Sequence, residues 1–507
     1  MWGGIHRTDF FGPAAKDAQS FLGERDESAR TAEKVFFRRL TIAVLCIKLC
    51  FVLIDPHMRL FMGDSATYLS SAVYGWTPPD RSFTYPLFIG LTAGSSGSIV
   101  TLLLLQTLCG AGTTLLACWI LRDFFSVRRW IVAVVAVLLT LDPGQLFYER
   151  MVMTESTSTF MLITALATAL AYLRNGNTAL LLACVVLGIV LSSLRAALVP
   201  VALLLPAAAV CLRFPHERAA RGAWLVHLAI ALIATFAGHT AYKHWYAARS
   251  GGRPSYIQDA GIFRLGLAAP LVKPAHFSGT GVDPAMLDEV TIPLSDPYRR
   301  EAHIWSPGGL VDVLRKHSQD RTRAVADTLA NRAIADDPIG LLRLGLRTEL
   351  EYFDLAKRRE RLWSDMGSGQ PPDERTVELM RKHFHYDAST IARTPSAVWL
   401  YFASTAMWPT LCHFLLAPLA ILMLALDRGK ARKPVWLLAL LCIGFVVGHV
   451  ICSHIISFRY LHPFSVLAVM CGAAVAGVLL SPWRRHPIAA PSASDHNCGP
   501  SQSAPPS

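Results

Sequence analysis

The chain has 507 residues, of which 53% are hydrophobic and only 17% charged, and its mean hydropathy is +0.38. Soluble proteins carry nearer a quarter charged residues, so a soluble multidomain enzyme, a disordered chain and a disulfide-built secreted scaffold are excluded, and a polytopic membrane protein is left. The formal net charge of +12 fits the Lys and Arg that collect in cytoplasmic loops of membrane proteins, and no run of basic residues interleaved with aromatics points to nucleic acid as a partner.

Residues 1–39 are polar and charged and lack the layout of a signal peptide, so they read as a cytoplasmic N-terminal segment. The first apolar run, 40–54, then stays as an anchor. A first outer loop follows at 55–98. It contains a short apolar piece, 86–93, which is too short to span and reads as interfacial. Further apolar runs lie at 99–121, 130–141, 151–173, 178–192, 196–212 and 224–241, which makes 40–246 a block of seven transmembrane helices.

Residues 247–397 form a long polar region, expected as an extracytoplasmic loop domain. Within it, residues 338–355 set leucines among charges and predict an amphipathic helix lying on the bundle or the interface. Gly251-Gly252 and the stretch 279–284 read as loops. Runs at 398–426, 435–456 and 463–480 supply three more helices within 398–481. The tail, 482–507, is rich in Ser, Pro and Ala and reads as disordered and cytoplasmic. The fold class is therefore all-α and polytopic, with about ten transmembrane helices and extracytoplasmic loop regions. Several runs fall short of the ~20 residues a span needs, so their helices must extend into flanking polar residues.

Of eleven cysteines, ten lie in apolar runs and Cys498 lies in the tail. No CxxC or Cys/His metal spacing occurs, so they read as packing residues. With the N-terminus inside, every inside segment carries Lys or Arg close to a helix end, as the positive-inside rule requires. The exceptions then stand out. Arg195 and Arg459 fall at outer helix ends, and Asp64, Arg150 and Glu155 lie at or near the same boundary. Ionisable residues at membrane depth are functional candidates because burying them is costly. Lys48, midway along the first helix, joins them or simply pairs with a carboxylate in the bundle.

The most informative stretch is the first outer loop, where Asp64 stands in Gly63-Asp64-Ser65 with Tyr68 four residues on, and Arg81 precedes Tyr85-Pro86. A carboxylate at the membrane surface serves as general base for an alcohol, although Asp-Ser is also good capping chemistry for a short helix. Glu155, in "ERMVMTES", is either a dipole-stabilised first-turn Glu or a functional one. Arg195 sits in "SSLRAALVPVALLLP", and Arg459, Tyr460 and His462 precede Pro463. Each Arg reads as a snorkelling anchor, an intrabundle ion pair or half of a phosphate grip.

Taken in order, these motifs and the final "RYLHP" resemble the GT-C membrane glycosyltransferases, a superfamily that includes protein O-mannosyltransferases and the aminoarabinose transferases of lipid A. The resemblance runs from about Leu40 to Leu480. It implies a helix bundle in a bacterial inner membrane with both termini cytoplasmic and an active site facing the periplasm. It also implies a polyprenyl-phosphate sugar donor and an extracytoplasmic acceptor: a lipid, a glycan or a protein. Asp64 matches the family's first-loop catalytic carboxylate, and Arg459 matches its late Arg near the lipid phosphate. Glu155, Arg150 and Arg195 match more loosely. Many relatives carry an Asp-Glu pair where this chain has a single Asp, so no clear ligand set for a divalent metal is present and the cofactor is unknown.

The chemistry expected is a single displacement that inverts the anomeric centre. Asp64, or Glu155, is the catalytic carboxylate. Arg459 and Arg195, with Tyr460 beside them, take the growing charge on the phosphate. Tyr68, Arg81, Arg150 and His462 contribute to substrate binding. Neither a Walker A nor a GxGxxG motif is present. Two rival readings remain: an O-antigen ligase or polymerase, and a flippase-type transporter. The second calls for an internal repeat of helices that the sequence does not display.

Overall fold

Apolar runs rich in Leu, Ala and Val can bury their backbone polar groups in lipid only by closing them into helices. The computed structural model describes residues 13–480, apart from 82, 216, 368–370, 390, 392–394 and 428–431. The predicted tail, with Cys498, lies outside the described residues. Every regular element among those residues is helical, and the one strand-like contact is an isolated parallel bridge between Arg59 and Met151.

The chain opens with a long helix, α1 (Pro13–Ile54), whose second half is the first apolar run. The first loop folds as α2 (Met62–Tyr74) and α3 (Thr84–Ile89), which Gly90–Gly94 continues as a π-helical turn. This short piece buries Tyr85, Pro86 and Ile89 and leaves Leu87 and Leu91 exposed. Next come α4 (Ile99–Asp123), α5 (Arg129–Thr140) and the short α6 (Pro143–Tyr148). The bundle continues through α7 (Glu155–Asn175), α8 (Thr178–Leu194), α9 (Val199–Leu212) and α10 (Arg221–Ser250).

The long polar region contains α11 (Ala260–Ala268), α12 (Ala302–Trp305), α13 (Leu310–Ser318) and α14 (Thr322–Asp336), which enclose an apolar core of their own. The same region continues with α15 (Pro338–Glu351), α16 (Leu355–Asp365) and α17 (Glu374–Phe384). The expected amphipathic helix is α15. It buries Leu341, Leu344 and Thr348 and exposes Ile339, Leu342, Leu346 and Leu350.

The last expected block begins with a break. Instead of one helix over 398–426 there are α18 (Ala397–Thr405) and α19 (Met407–Leu426). Pro409, in the first turn of α19, supplies no N–H to an earlier carbonyl, which favours a fresh start. The chain closes with α20 (Lys433–Cys452) and α21 (Phe458–Leu479).

The chain is a multi-pass helical membrane protein, but the count of ten is not reached by length and composition. Six helices among the described residues qualify as spans: α4, α7, α10, α19, α20 and α21. The apolar α5, α8 and α9 are shorter. At ~1.5 Å per residue, the 12 residues of α5 reach little more than half of a ~30 Å hydrocarbon core. α1 carries Arg38, Arg39 and Lys48 in or beside its apolar run.

Both polar regions meet at one end of the bundle, the loop face. Asp259 N–H donates to the Pro79 carbonyl at 2.9 Å, the Tyr246 hydroxyl to the Pro78 carbonyl at 2.7 Å, and Gly97 O lies 2.8 Å from His385 Nδ1. The helix ends remote from this face gather Arg122 and Arg129 around Glu33, and Arg174 against Asp123. The described cysteines are all free thiols.

Lys48 has the partner expected of a buried cation: its Nζ lies 2.5 Å from Glu149 Oε1, with side-chain exposures of 1% and 0%. Lys48→Met is therefore expected to cost ~3–5 kcal/mol, because it strands a buried carboxylate. Adding Glu149→Gln is expected to recover part of that loss. Thermal unfolding in detergent of the two single variants and the double measures the coupling.

Candidate active site

α2 begins at Met62, and its N-cap, Phe61, makes no side-chain capping bond. Asp64 therefore sits in the first turn without serving as the cap. Ser65 takes the local role instead: its hydroxyl accepts from Phe61 N–H at 2.7 Å and donates to the Val152 carbonyl at 2.9 Å. That anchoring leaves the Asp64 carboxylate free to face two guanidinium groups. Arg81 Nη1 lies 2.6 Å from Oδ1, and Arg459 Nη1 lies 3.0 Å from Oδ2.

Arg459 is held from the other side as well. Its Nε donates to Glu155 Oε1 at 3.0 Å. Glu155 is the first residue of α7, where the positive end of the helix dipole favours a carboxylate. Arg195 closes α8 and reaches the same oxygen at 3.8 Å through Nη1.

A backbone feature of α21 brings Arg195 and Arg459 together. Pro463 has no N–H, so the Arg459 carbonyl four residues back lacks its helical partner. Arg195 Nη2 donates to that carbonyl at 3.2 Å. Both guanidinium groups also lie near the Tyr460 ring, at 5.8 Å and 5.9 Å from its centroid. A proline in the second turn of α21 thus converts a helix end into an Arg-Arg junction, where like charges are tolerated because Glu155 lies between them.

Tyr68, one turn along α2 from Asp64, is buried under the Arg81 guanidinium, 5.7 Å from its ring, and packs edge-on against Tyr85. Burial above all, and then the Asp64 charge, hold its phenol above the ordinary range, so it stays a neutral donor. Burial pulls the Arg81 pKa down, but Asp64 and Asp80 more than offset this, and Arg81 remains a full cation.

The cluster grades from closed to open. Side-chain exposure is 0% for Glu155, 11% for Arg195, 17% for Arg459 and 24% for Asp64. Asp64 is the carboxylate at the mouth, while Glu155 forms the floor. Glu155 Oε2 and Arg195 Nη1 are buried and make no hydrogen bond. Polar capacity is therefore left over at the floor, between a guanidinium and a carboxylate.

Two expected members lie elsewhere. Arg150 is a buried clamp: its Nε donates to the Asp55 carbonyl at 3.0 Å and its Nη1 to the Leu146 carbonyl at 2.8 Å. It fixes the end of α6 to the end of α1 and does not reach the cluster. His462 points into the bundle, with Nδ1 3.0 Å from the Thr159 hydroxyl and its ring edge-on to Tyr148.

A supporting set from the long polar region escaped sequence reading. Asp365, the last residue of α16, accepts from Phe458 N–H at 2.6 Å and from the Ser457 hydroxyl at 2.9 Å. It thereby caps α21 one residue before Arg459. Its burial raises its pKa, against the opposing pull of Arg361. Arg361 contacts Asp365 at 3.0 Å and Glu301 at 3.0 Å. Gly367, at φ +67°, lies where any Cβ would meet the Leu60 carbonyl, so this loop presses on the approach to α2. Nothing in the spacing of the Asp in "LWSDMG" pointed to residue 458.

The chain matches no family model, no curated protein and no solved structure.

Proposed function

We propose that the chain is a membrane glycosyltransferase of GT-C type that moves a sugar from a polyprenyl-phosphate donor to an extracytoplasmic acceptor. The observation that carries this reading is the convergence of Asp64, Arg81, Glu155, Arg195 and Arg459, from separate elements, at one face of a membrane bundle. These residues stand at helix ends and in a loop. That is where a donor with its phosphate at the surface and its chain in lipid presents its reacting bond.

The roles follow from position. Arg195 and Arg459 face the phosphate and take up the charge that grows as the glycosidic oxygen leaves. The incoming phosphate competes with Asp64 for Arg459 and frees a carboxylate lone pair. Asp64, at the mouth, then takes the proton of the acceptor hydroxyl as that oxygen attacks the anomeric carbon. One bond forms as the other breaks, so the anomeric configuration inverts. Glu155 holds the two arginines in place, and Arg81 and Tyr68 orient Asp64.

In this reading α1, α5, α8 and α9 complete a set of ten membrane-embedded helices. The loop face is extracytoplasmic, because the remote helix ends carry the arginines that the positive-inside rule assigns to the cytoplasm. The membrane is then the inner membrane of a bacterium. A transporter site is expected near the bilayer midplane between helices, and the position of this cluster at helix ends disfavours it. An O-antigen ligase or polymerase is the remaining alternative, and it has no need of Asp64.

Mass analysis of surface glycans and glycolipids from cells with and without the intact gene tests the proposal. Loss of one sugar from one acceptor is the expected result. An unchanged glycan and glycolipid profile would oppose it.

A further inference from the structure

Glu349, His413 and His449 are far apart in sequence and share no metal-binding spacing, yet they meet at the loop face. Glu349 is on α15, His413 is one turn into α19 and His449 is in the last turn of α20. Their ligand atoms all lie within 4.8 Å of one another. Glu349 Oε2 is 2.6 Å from His413 Nε2, and Glu349 Oε1 is 3.5 Å from His449 Nε2. The exposures of Glu349, His413 and His449 are only 13%, 3% and 6%.

The geometry points to a divalent metal site of the zinc class at these three residues, joining the long polar region to the bundle. A second observation, independent of their proximity, supports a ligand. His449 Nε2 and Glu349 Oε1 are buried and make no hydrogen bond. Burying two such groups without a hydrogen bond is costly, and a cation between them would satisfy both. Three protein ligands bound to an ion at ~2.0–2.2 Å leave a fourth, open position for water in a tetrahedral shell. Ligand atoms held ~3.3 Å apart suit that shell, so the observed spacings need only small side-chain shifts. Two imidazoles and one carboxylate favour zinc-like ions over calcium or magnesium, which prefer oxygen ligands.

The surroundings fix the three ligands in place. Gly345 on α15 lies where a Cβ would strike the Val450 carbonyl, so α15 and α20 touch backbone to backbone. Arg300 bridges the same two elements, donating to the Leu344 and Ser453 carbonyls at 3.2 Å. Phe464 packs edge-on against both histidines, at 4.7 Å and 5.4 Å. Tyr352 lies 5.6 Å from the His413 ring and 5.8 Å from the His449 ring, and its hydroxyl accepts from Ser457 N–H at 3.0 Å. The ion is therefore a structural clip. Through Tyr352 and Ser457 it steadies the start of α21, which carries Arg459.

The test uses the full chain, purified in detergent without chelator and without a histidine tag. Elemental analysis is expected to find about one zinc-class ion per chain, and Zn²⁺ added after chelation is expected to restore both the ion and the Tm lost with it. Cobalt loaded in its place is expected to show the visible absorption of a four-coordinate site. His413→Ala, His449→Ala and Glu349→Gln are each expected to weaken Zn²⁺ affinity ~10-fold or more, the scale at which even outer-shell partners act. His317→Ala, which removes an exposed histidine paired with Glu289, is expected to retain the ion. Should the histidine variants fail to fold, the Glu349→Gln variant and the chelation of the native chain still decide the matter. Less than stoichiometric metal after Zn²⁺ loading, a Tm that ignores chelation, or metal retained by all three ligand variants would overturn the site and leave a Glu-His hydrogen bond.

Discussion

The Asp64→Asn variant is expected to transfer sugar ~10²–10⁴-fold more slowly than the native chain, the range general-base catalysis contributes. The change keeps the shape of the side chain and one oxygen that accepts from Arg459. It removes the charge that takes a proton and leaves Arg81 facing an amide instead of a carboxylate oxygen. Asp64 is the most open member of the cluster and makes no capping bond, so the stability at stake is that of a part-exposed ion pair, ~0–1 kcal/mol. The melting temperature should therefore stay close to native while turnover collapses. A variant that lost turnover and stability together would point to a structural Asp64. One that kept turnover would move the base to Glu155 or favour the ligase alternative.

Arg459→Lys is expected to lower kcat/KM by ~10²-fold or more, the cost of removing one well-placed donor to developing charge. The present guanidinium uses Nε for Glu155 and Nη1 for Asp64, at 3.0 Å each. A single ammonium cannot span both carboxylates with that spacing or present a planar fork to phosphate. Arg459→Ala is the less informative change. It leaves Glu155, fully buried, with Arg195 at 3.8 Å as its remaining cation, and removing one partner of a buried pair costs ~3–5 kcal/mol in stability alone. The lysine variant keeps the charge, so its donor affinity and turnover can be read beside an intact melt. Native donor affinity and turnover in Arg459→Lys would reduce Arg459 to a structural bridge.

The membrane class, the two polar regions and α15 were legible in the sequence because each rests on local hydropathy or amphipathic periodicity. Asp64, Glu155, Arg195 and Arg459 were legible for a different reason: the positive-inside rule asks for no Arg at outer helix ends and ionisable residues are rare at membrane depth, so four such residues on one expected face stand out. Arg150 carried the same signal and turned out to be a clamp on Asp55 and Leu146. A boundary charge does not reveal whether its partner is a backbone carbonyl or a ligand.

What stayed hidden is what depends on long-range packing. Asp365 acts on residue 458, and Glu349 meets His413 and His449 across three helices. No periodicity or spacing encodes those contacts. The break at Ala406 escaped for a simpler reason, since the apolar run 398–426 reads continuously across it.

The central claim is that this chain transfers a sugar from a lipid phosphate at the Asp64–Arg459 cluster. The most direct test incubates the purified protein in detergent with a synthetic polyprenyl-phosphate sugar and the acceptor fraction of the same cell envelope. Free polyprenyl phosphate and the glycosylated product are measured for the native chain and for Asp64→Asn. Release of polyprenyl phosphate by the native chain, matched by product of inverted configuration and abolished in the variant, is the result expected. Equal rates of release from both proteins, or none from either while the donor is bound, would contradict it.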